Sequence, residues 1–152
     1  MSIEESIFMG RVAEQAERYE DMVDFLKPVI KEKGSNLNVE ERNLLSVAFK
    51  NLVGSRRTAW RTISAIEQNP KYAHFSDAIG GYKKRIEEEL YKSCEDIVAN
   101  IEQNILPGAT NHEAKAFFLK MIGDYYRYMA ENAKDAKLEE VKSEAQKAYE
   151  EA

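Results

Sequence analysis

Apolar side chains recur at intervals of three and four residues along nearly the whole chain, and strand-like alternation of apolar and polar positions is absent. A first helix is expected over about residues 3–16, with Ile7, Met9, Val12, Ala13 and Ala16 on its apolar side. A second follows, turning Met22, Leu26, Val29 and Ile30 inward. Pro28 falls inside it, lacks a backbone donor and crowds the preceding turn, so a kink or an early end is expected there. Gly34-Ser35-Asn36 interrupts the pattern, and Asn38 followed by Glu41 has the spacing of a capping box that opens the next helix. Asn69-Pro70 closes that helix, because the residue before a proline is driven out of helical conformation. A long helix is expected over about residues 75–105, ended by Pro107-Gly108, with Thr110 and Glu113 as a second capping box. After Asn132–Lys137 a last helix runs to Ala152. The fold class this predicts is all-α, an antiparallel bundle of about six helices in one domain, residues 1–152.

The polar faces carry the informative chemistry. In Arg42–Arg61 (RNLLSVAFKNLVGSRRTAWR), Lys50, Gly54, Arg57 and Arg61 stand at i, i+4, i+7 and i+11 on one face. Leu44, Leu45, Ala48, Phe49, Leu52, Trp60 and Ile63 form the opposing apolar side. A line of cations on one helix suits a localised anion, and Gly54 costs that helix about 1 kcal/mol relative to Ala while removing bulk between cationic turns. A solvated basic face is the alternative. In Ala116–Glu131 (AFFLKMIGDYYRYMAE), Lys120, Asp124, Arg127, Tyr128 and Glu131 share a polar face, while Phe118, Met121, Ile122, Tyr125 and Met129 face inward. Lys120 and Asp124 are i, i+4 partners, and Arg127 beside Tyr128 offers a guanidinium fork plus a phenol O–H to a tetrahedral oxyanion. Read alone, this too could be a salt-bridged surface.

Both segments closely resemble the 14-3-3 family, and the likeness extends through EQAERYEDM (Glu14–Met22), EERNLLSVAFKN (Glu40–Asn51), SAIEQ (Ser64–Gln68) and QKAYEEA (Gln146–Ala152). The resemblance implies an all-helical adaptor that binds phosphoserine and phosphothreonine in client proteins and regulates signalling as a homodimer or as a heterodimer with related subunits. It implies that Lys50, Arg57, Arg127 and Tyr128 hold the phosphate, on helices over roughly 38–69 and 111–132. Arg56, about 100° round the helix from Arg57, is expected to support the pocket from behind, and Lys120 and Asp124 to lie at its edge. The dimer elements implied lie within roughly residues 1–90: Val12, Ala16 and Tyr82 as apolar contacts, and Arg18 and Asp21 facing Arg85 and Glu89 of the other subunit. Ala59 stands where many members carry a phosphorylatable Ser, so a dimer-breaking phosphoswitch is not expected there. Full members continue past QKAYEEA, so the resemblance further implies an N-terminal fragment, truncated before the C-terminal helices, with apolar surface uncovered on its last three helices. A helical dimerisation module without phosphopeptide binding is the alternative function.

Composition narrows the classes. Apolar residues make up 43% and charged residues 32% of the 152 positions, which is enough to build a core and argues against disorder. The net charge of −5 disfavours non-specific nucleic-acid binding. Cys94 is the single cysteine, so no intrachain disulfide can form, and it falls on the stripe Tyr82, Ile86, Leu90, Cys94, Ile97, Ile101 as a packed thiol. MSIEESIFMGR at the start is acidic and lacks a signal-peptide core, and no membrane span is present. A cytoplasmic protein with nuclear access is expected, with no membrane or nucleic-acid partner. His74 and His112 have no zinc-type spacing, and Glu87-Glu88-Glu89 reads as a solvated helix face. No catalytic residue, metal site or cofactor is expected.

Overall fold

The computed structural model of the chain describes residues Met1–Ala152. Six helices follow one another: α1 (Ile3–Gln15), α2 (Tyr19–Lys33), α3 (Val39–Glu67), α4 (Ser76–Asn100), α5 (His112–Asn132) and α6 (Asp135–Glu151), with no strand. Short connections force each helix back along its predecessor. The closest pairings are α1 with α2, α3 with α4, and α5 with α6, while α2 against α3 and α4 against α5 join the pairs. One continuous core runs through all of them, centred on side chains such as Met22, Ile30, Phe49, Leu90, Ile101, Phe118 and Met129. The inward faces expected of α2 and α5 are buried as predicted.

Local signals set most of the boundaries. At the start of α3 the Asn38 side chain accepts from the Glu41 N–H, and the Glu41 carboxylate accepts from the Asn38 N–H, a complete capping box. Lys33, at the end of α2, donates to the same buried carboxylate and neutralises it. Beyond α3, Pro70–Phe75 form a 3₁₀ segment before α4 begins. The end of α4 loosens into a π-turn over Ile101–Ile105 and a 3₁₀ turn over Leu106–Gly108, so the helical run stops where Pro107-Gly108 was expected to stop it.

Several expectations are corrected. Helix α2 does not end at Pro28 but continues to Lys33. The proline is exposed, as is Asp24 one turn earlier, so the carbonyl left without a donor can turn to water. Asn111, not Thr110, caps α5: its side chain accepts from the N–H groups of Glu113 and Ala114. Tyr82 is 55% exposed, so the buried α4 stripe begins only at Ile86. Gly54 has no steric reason within this chain to be glycine, since a Cβ there would meet no atom within 4 Å. Large exposed apolar side chains stand on the first helix as well as on two of the last three. They include Phe8 and Val12 on α1 and Phe75 and Tyr82 at the start of α4, with Tyr149 on α6.

Burial settles the character of Cys94. Its side chain is inaccessible, and removal from water pushes the thiol up to about 12, which leaves it protonated and unreactive near neutrality.

Candidate functional site

Helix α3 has 29 residues and spans roughly 43 Å. Its buried face, Leu44, Leu45, Ala48, Phe49, Leu52 and Val53, locks it against the core and fixes the direction of its opposite side. Phe49 meets Tyr125 of α5 edge to face at 6.4 Å between ring centroids, and Tyr125 meets Tyr128 in the same manner at 5.8 Å. This chain of rings ties the polar face of α5 to the buried face of α3. Burial raises the Tyr125 phenol well above the usual range, so it stays neutral as part of the wall.

Between the two helices lies an open cavity of about 530 Å³, lined by Lys50, Lys120, Asp124, Arg127 and Tyr128 together with Ser46, Phe117, Met121, Tyr125 and Tyr149. Three of the four residues expected to hold phosphate therefore border one cavity. Lys50 is exposed, and no acceptor or carboxylate in the chain engages its ammonium. Arg127 is exposed for 61% of its side chain, and its nearest carboxylate, Asp124, is 3.9 Å away, beyond hydrogen-bond distance. The neighbouring phenols of Tyr128 and Tyr149 and the Asp124 carboxylate all hold its guanidinium in the charged form.

Arg57 is placed differently. Its guanidinium lies over the Tyr128 ring, 4.0 Å from the centroid, and is engaged through two nitrogens by Glu131 at 2.8 and 3.2 Å. It does not line the cavity but stands beside it, one aromatic ring away. Arg61 is exposed, a turn further along α3. The remaining polar residues divide by location. Lys120 donates to Asp124 at 3.3 Å at the cavity edge. Arg56 turns to the other side of α3, towards Glu20 at 3.9 Å, and its Nε has no partner.

A second groove, of about 690 Å³, runs where α2 begins against α3 and α4, lined by Arg18, Asp21, Arg56, Ala59, Ile86 and Glu89 among others. Within the chain Arg18 donates to Asp21 at 2.8 Å, and Arg85 lies 3.6 Å from Glu89 on its own helix. Val12, Ala16 and Tyr82 are exposed. No group of three or more His, Cys, Asp or Glu side chains is arranged to hold a metal ion. No helix is long and apolar enough to cross a membrane.

Two residues with no expected role enter the site. Glu131 sits four residues after Arg127 on the face already identified as polar, so its presence was legible but its choice of Arg57, 74 residues distant, was not. Tyr149 reaches the cavity from α6 and donates to Asp124 at 2.6 Å. Its sequence signals are its place in QKAYEEA and Gly123, where a Cβ would stand 2.8 Å from the Tyr149 ring.

Comparison with known proteins adds a family likeness to this geometry. The model of the 14-3-3 protein family matches residues 9–152. The chain is 46% identical over 157 aligned residues to 14-3-3 protein 3 of Entamoeba histolytica, an alignment covering 99% of this chain and 64% of that protein. It is 49% identical to a 14-3-3-like protein of Solanum tuberosum, across 86% of this chain and 51% of the relative. Against a 14-3-3-like protein of Zea mays the identity is 50%, across 86% and 52%. The chain thus spans between half and two-thirds of the length of these relatives.

Proposed function

Because the chain belongs to the 14-3-3 family, we propose that it is a phosphoserine/phosphothreonine-binding adaptor that regulates client proteins as a dimer. The observation that carries this reading is the cavity between α3 and α5, where Lys50, Arg127 and Tyr128 converge with Arg57 stacked behind Tyr128. A phosphate brings close to two negative charges and three acceptor oxygens at neutral pH. Lys50 supplies a mobile ammonium, Arg127 a planar fork and Tyr128 a phenol donor, so the anion is met from both helices. Each well-aligned charge-assisted hydrogen bond contributes about 1.5–3 kcal/mol. Arg57, its charge balanced by Glu131, stacks on the Tyr128 ring and keeps it in place. The proposed role is recognition, exercised in the cytoplasm with access to the nucleus.

Dimerisation is supported by apolar side chains that no part of the chain covers, Phe8 and Val12 on α1 and Tyr82 on α4. Arg18 and Glu89, which border one groove, would supply the polar rim. Rim charges contribute little individually, so the apolar contacts must provide most of the association energy.

Titration calorimetry with one peptide in phosphorylated and unphosphorylated form tests the reading. Binding of the phosphorylated form alone, weakened as salt rises and lost in Lys50→Glu, is the expected result. Equal binding of the two forms, or indifference to Lys50→Glu, would leave only a helical dimerisation module.

A further inference from the structure

Asp124 poses a problem for the cavity it borders. It stands three residues before Arg127 on α5, so an unrestrained carboxylate would reach the guanidinium and compete with any incoming anion. In the structure it does not close on Arg127. The Asp124 Oδ1 atom accepts from the Tyr149 phenol at 2.6 Å, and Oδ2 accepts from the Lys120 ammonium at 3.3 Å. Arg127 remains 3.9 Å from Oδ1. The phenol therefore occupies the oxygen nearest Arg127.

The placement of Tyr149 is itself constrained. Its ring lies over buried Gly123, and a Cβ at that position would come within 2.8–2.9 Å of three ring carbons. Only a glycine lets α6 bring this ring close enough for the phenol to reach Asp124. Desolvation and the bond to Asp124 push the Tyr149 phenol up to about 12, so it is a donor throughout the physiological range.

We propose that Tyr149 is a positioning residue of the phosphate site, which restrains Asp124 so that Arg127 stays free for the anion. The inference rests on the phosphate-binding reading above, and it deepens that reading by assigning α6 a part in a site otherwise built from α3 and α5. Tyr149 need not touch the phosphate; it acts through the carboxylate.

The test is a double-mutant cycle read by calorimetry with a phosphorylated peptide, combined with NMR of the Arg127 Nε–H in the ligand-free protein. Tyr149→Phe keeps the ring but removes the donor. It is expected to shift the Arg127 Nε–H resonance as Asp124 turns towards it, and to weaken phosphopeptide binding on the order of five- to tenfold, as for one compromised charge-assisted bond. In an Asp124→Asn background no charge competes for Arg127, so Tyr149→Phe should then have no effect. Equal losses in both backgrounds would mean that the ring acts only through packing and would overturn the inference. So would unchanged binding, or an unmoved Arg127 resonance, in Tyr149→Phe alone. Failure of the unmutated protein to prefer the phosphorylated peptide would instead sink the phosphate-binding reading, and is recognised by that first measurement.

Discussion

Gly54→Ala separates what one subunit requires from what a ligand or second subunit requires. Glycine in the interior of α3 costs about 0.5–1 kcal/mol relative to alanine, because its unfolded chain has more freedom to lose and because it packs nothing. That cost would be justified inside the chain only by a close approach, and a Cβ at this position meets no atom within 4 Å. Gly10 provides the contrast, since a Cβ there would stand 3.0 Å from Leu26. Gly54→Ala should therefore stabilise the isolated protein by about 0.5–1 kcal/mol, raising the melting temperature by roughly 1–4 °C for a chain of this size. Calorimetric or circular-dichroism melts would measure the shift, and denaturant titration with an unchanged slope would show that the unfolded state is not distorted. A melting temperature lowered by the substitution would refute the argument, because it would require a neighbour for the added methyl group that the structure does not place there. Peptide binding measured on the same variant tells whether the glycine serves a ligand: the structure of the chain alone gives no reason for a change.

Gly34→Ala should act in the opposite direction. Gly34 has a φ of +53°, and a Cβ there would lie 2.6 Å from the Asn104 carbonyl oxygen, so a loss of roughly 2–3 kcal/mol in denaturant titration is expected. Cys94 should be inert to a thiol reagent at pH 8 in the native state and react on unfolding, since burial pushes it from 9.0 to about 12. Because the folded state holds that proton more tightly, its contribution to stability is complete below about pH 9 and falls between pH 9 and 12. Cys94→Ala should flatten that part of the stability profile, as measured by urea titration across the range.

The legibility of the fold follows the range of the forces that build it. Capping, proline exclusion and amphipathic periodicity act within about four residues, so Asn38 with Glu41, the stop at Pro107-Gly108 and the buried faces of α2 and α5 could be read directly. The same local rules misplaced the α5 cap by one residue, because Thr110 and Asn111 are both capable caps and the loop conformation selects between them. They could not foresee that Pro28 would lie on an exposed side, where its missing hydrogen bond is tolerated. Tyr82 misled for the same reason, as a helical stripe does not say how far along its length the neighbouring helices extend.

By itself, the sequence determined that the chain is helical, where most helices begin and end, and that cations and a Tyr share polar faces on α3 and α5. Its resemblance to 14-3-3 proteins supplied the grouping of Lys50, Arg57, Arg127 and Tyr128, which no spacing along one helix contains. Only the tertiary structure decided how these residues are placed: Lys50, Arg127 and Tyr128 border one cavity, whereas Arg57 stacks on Tyr128 and is bound by Glu131. It alone brought Tyr149 to Asp124 across 25 residues. The reason is physical. A side chain's face on its helix is fixed by the backbone repeat, but its charged partner is fixed by the depth and angle at which two helices pack, and small shifts in either exchange one carboxylate for another.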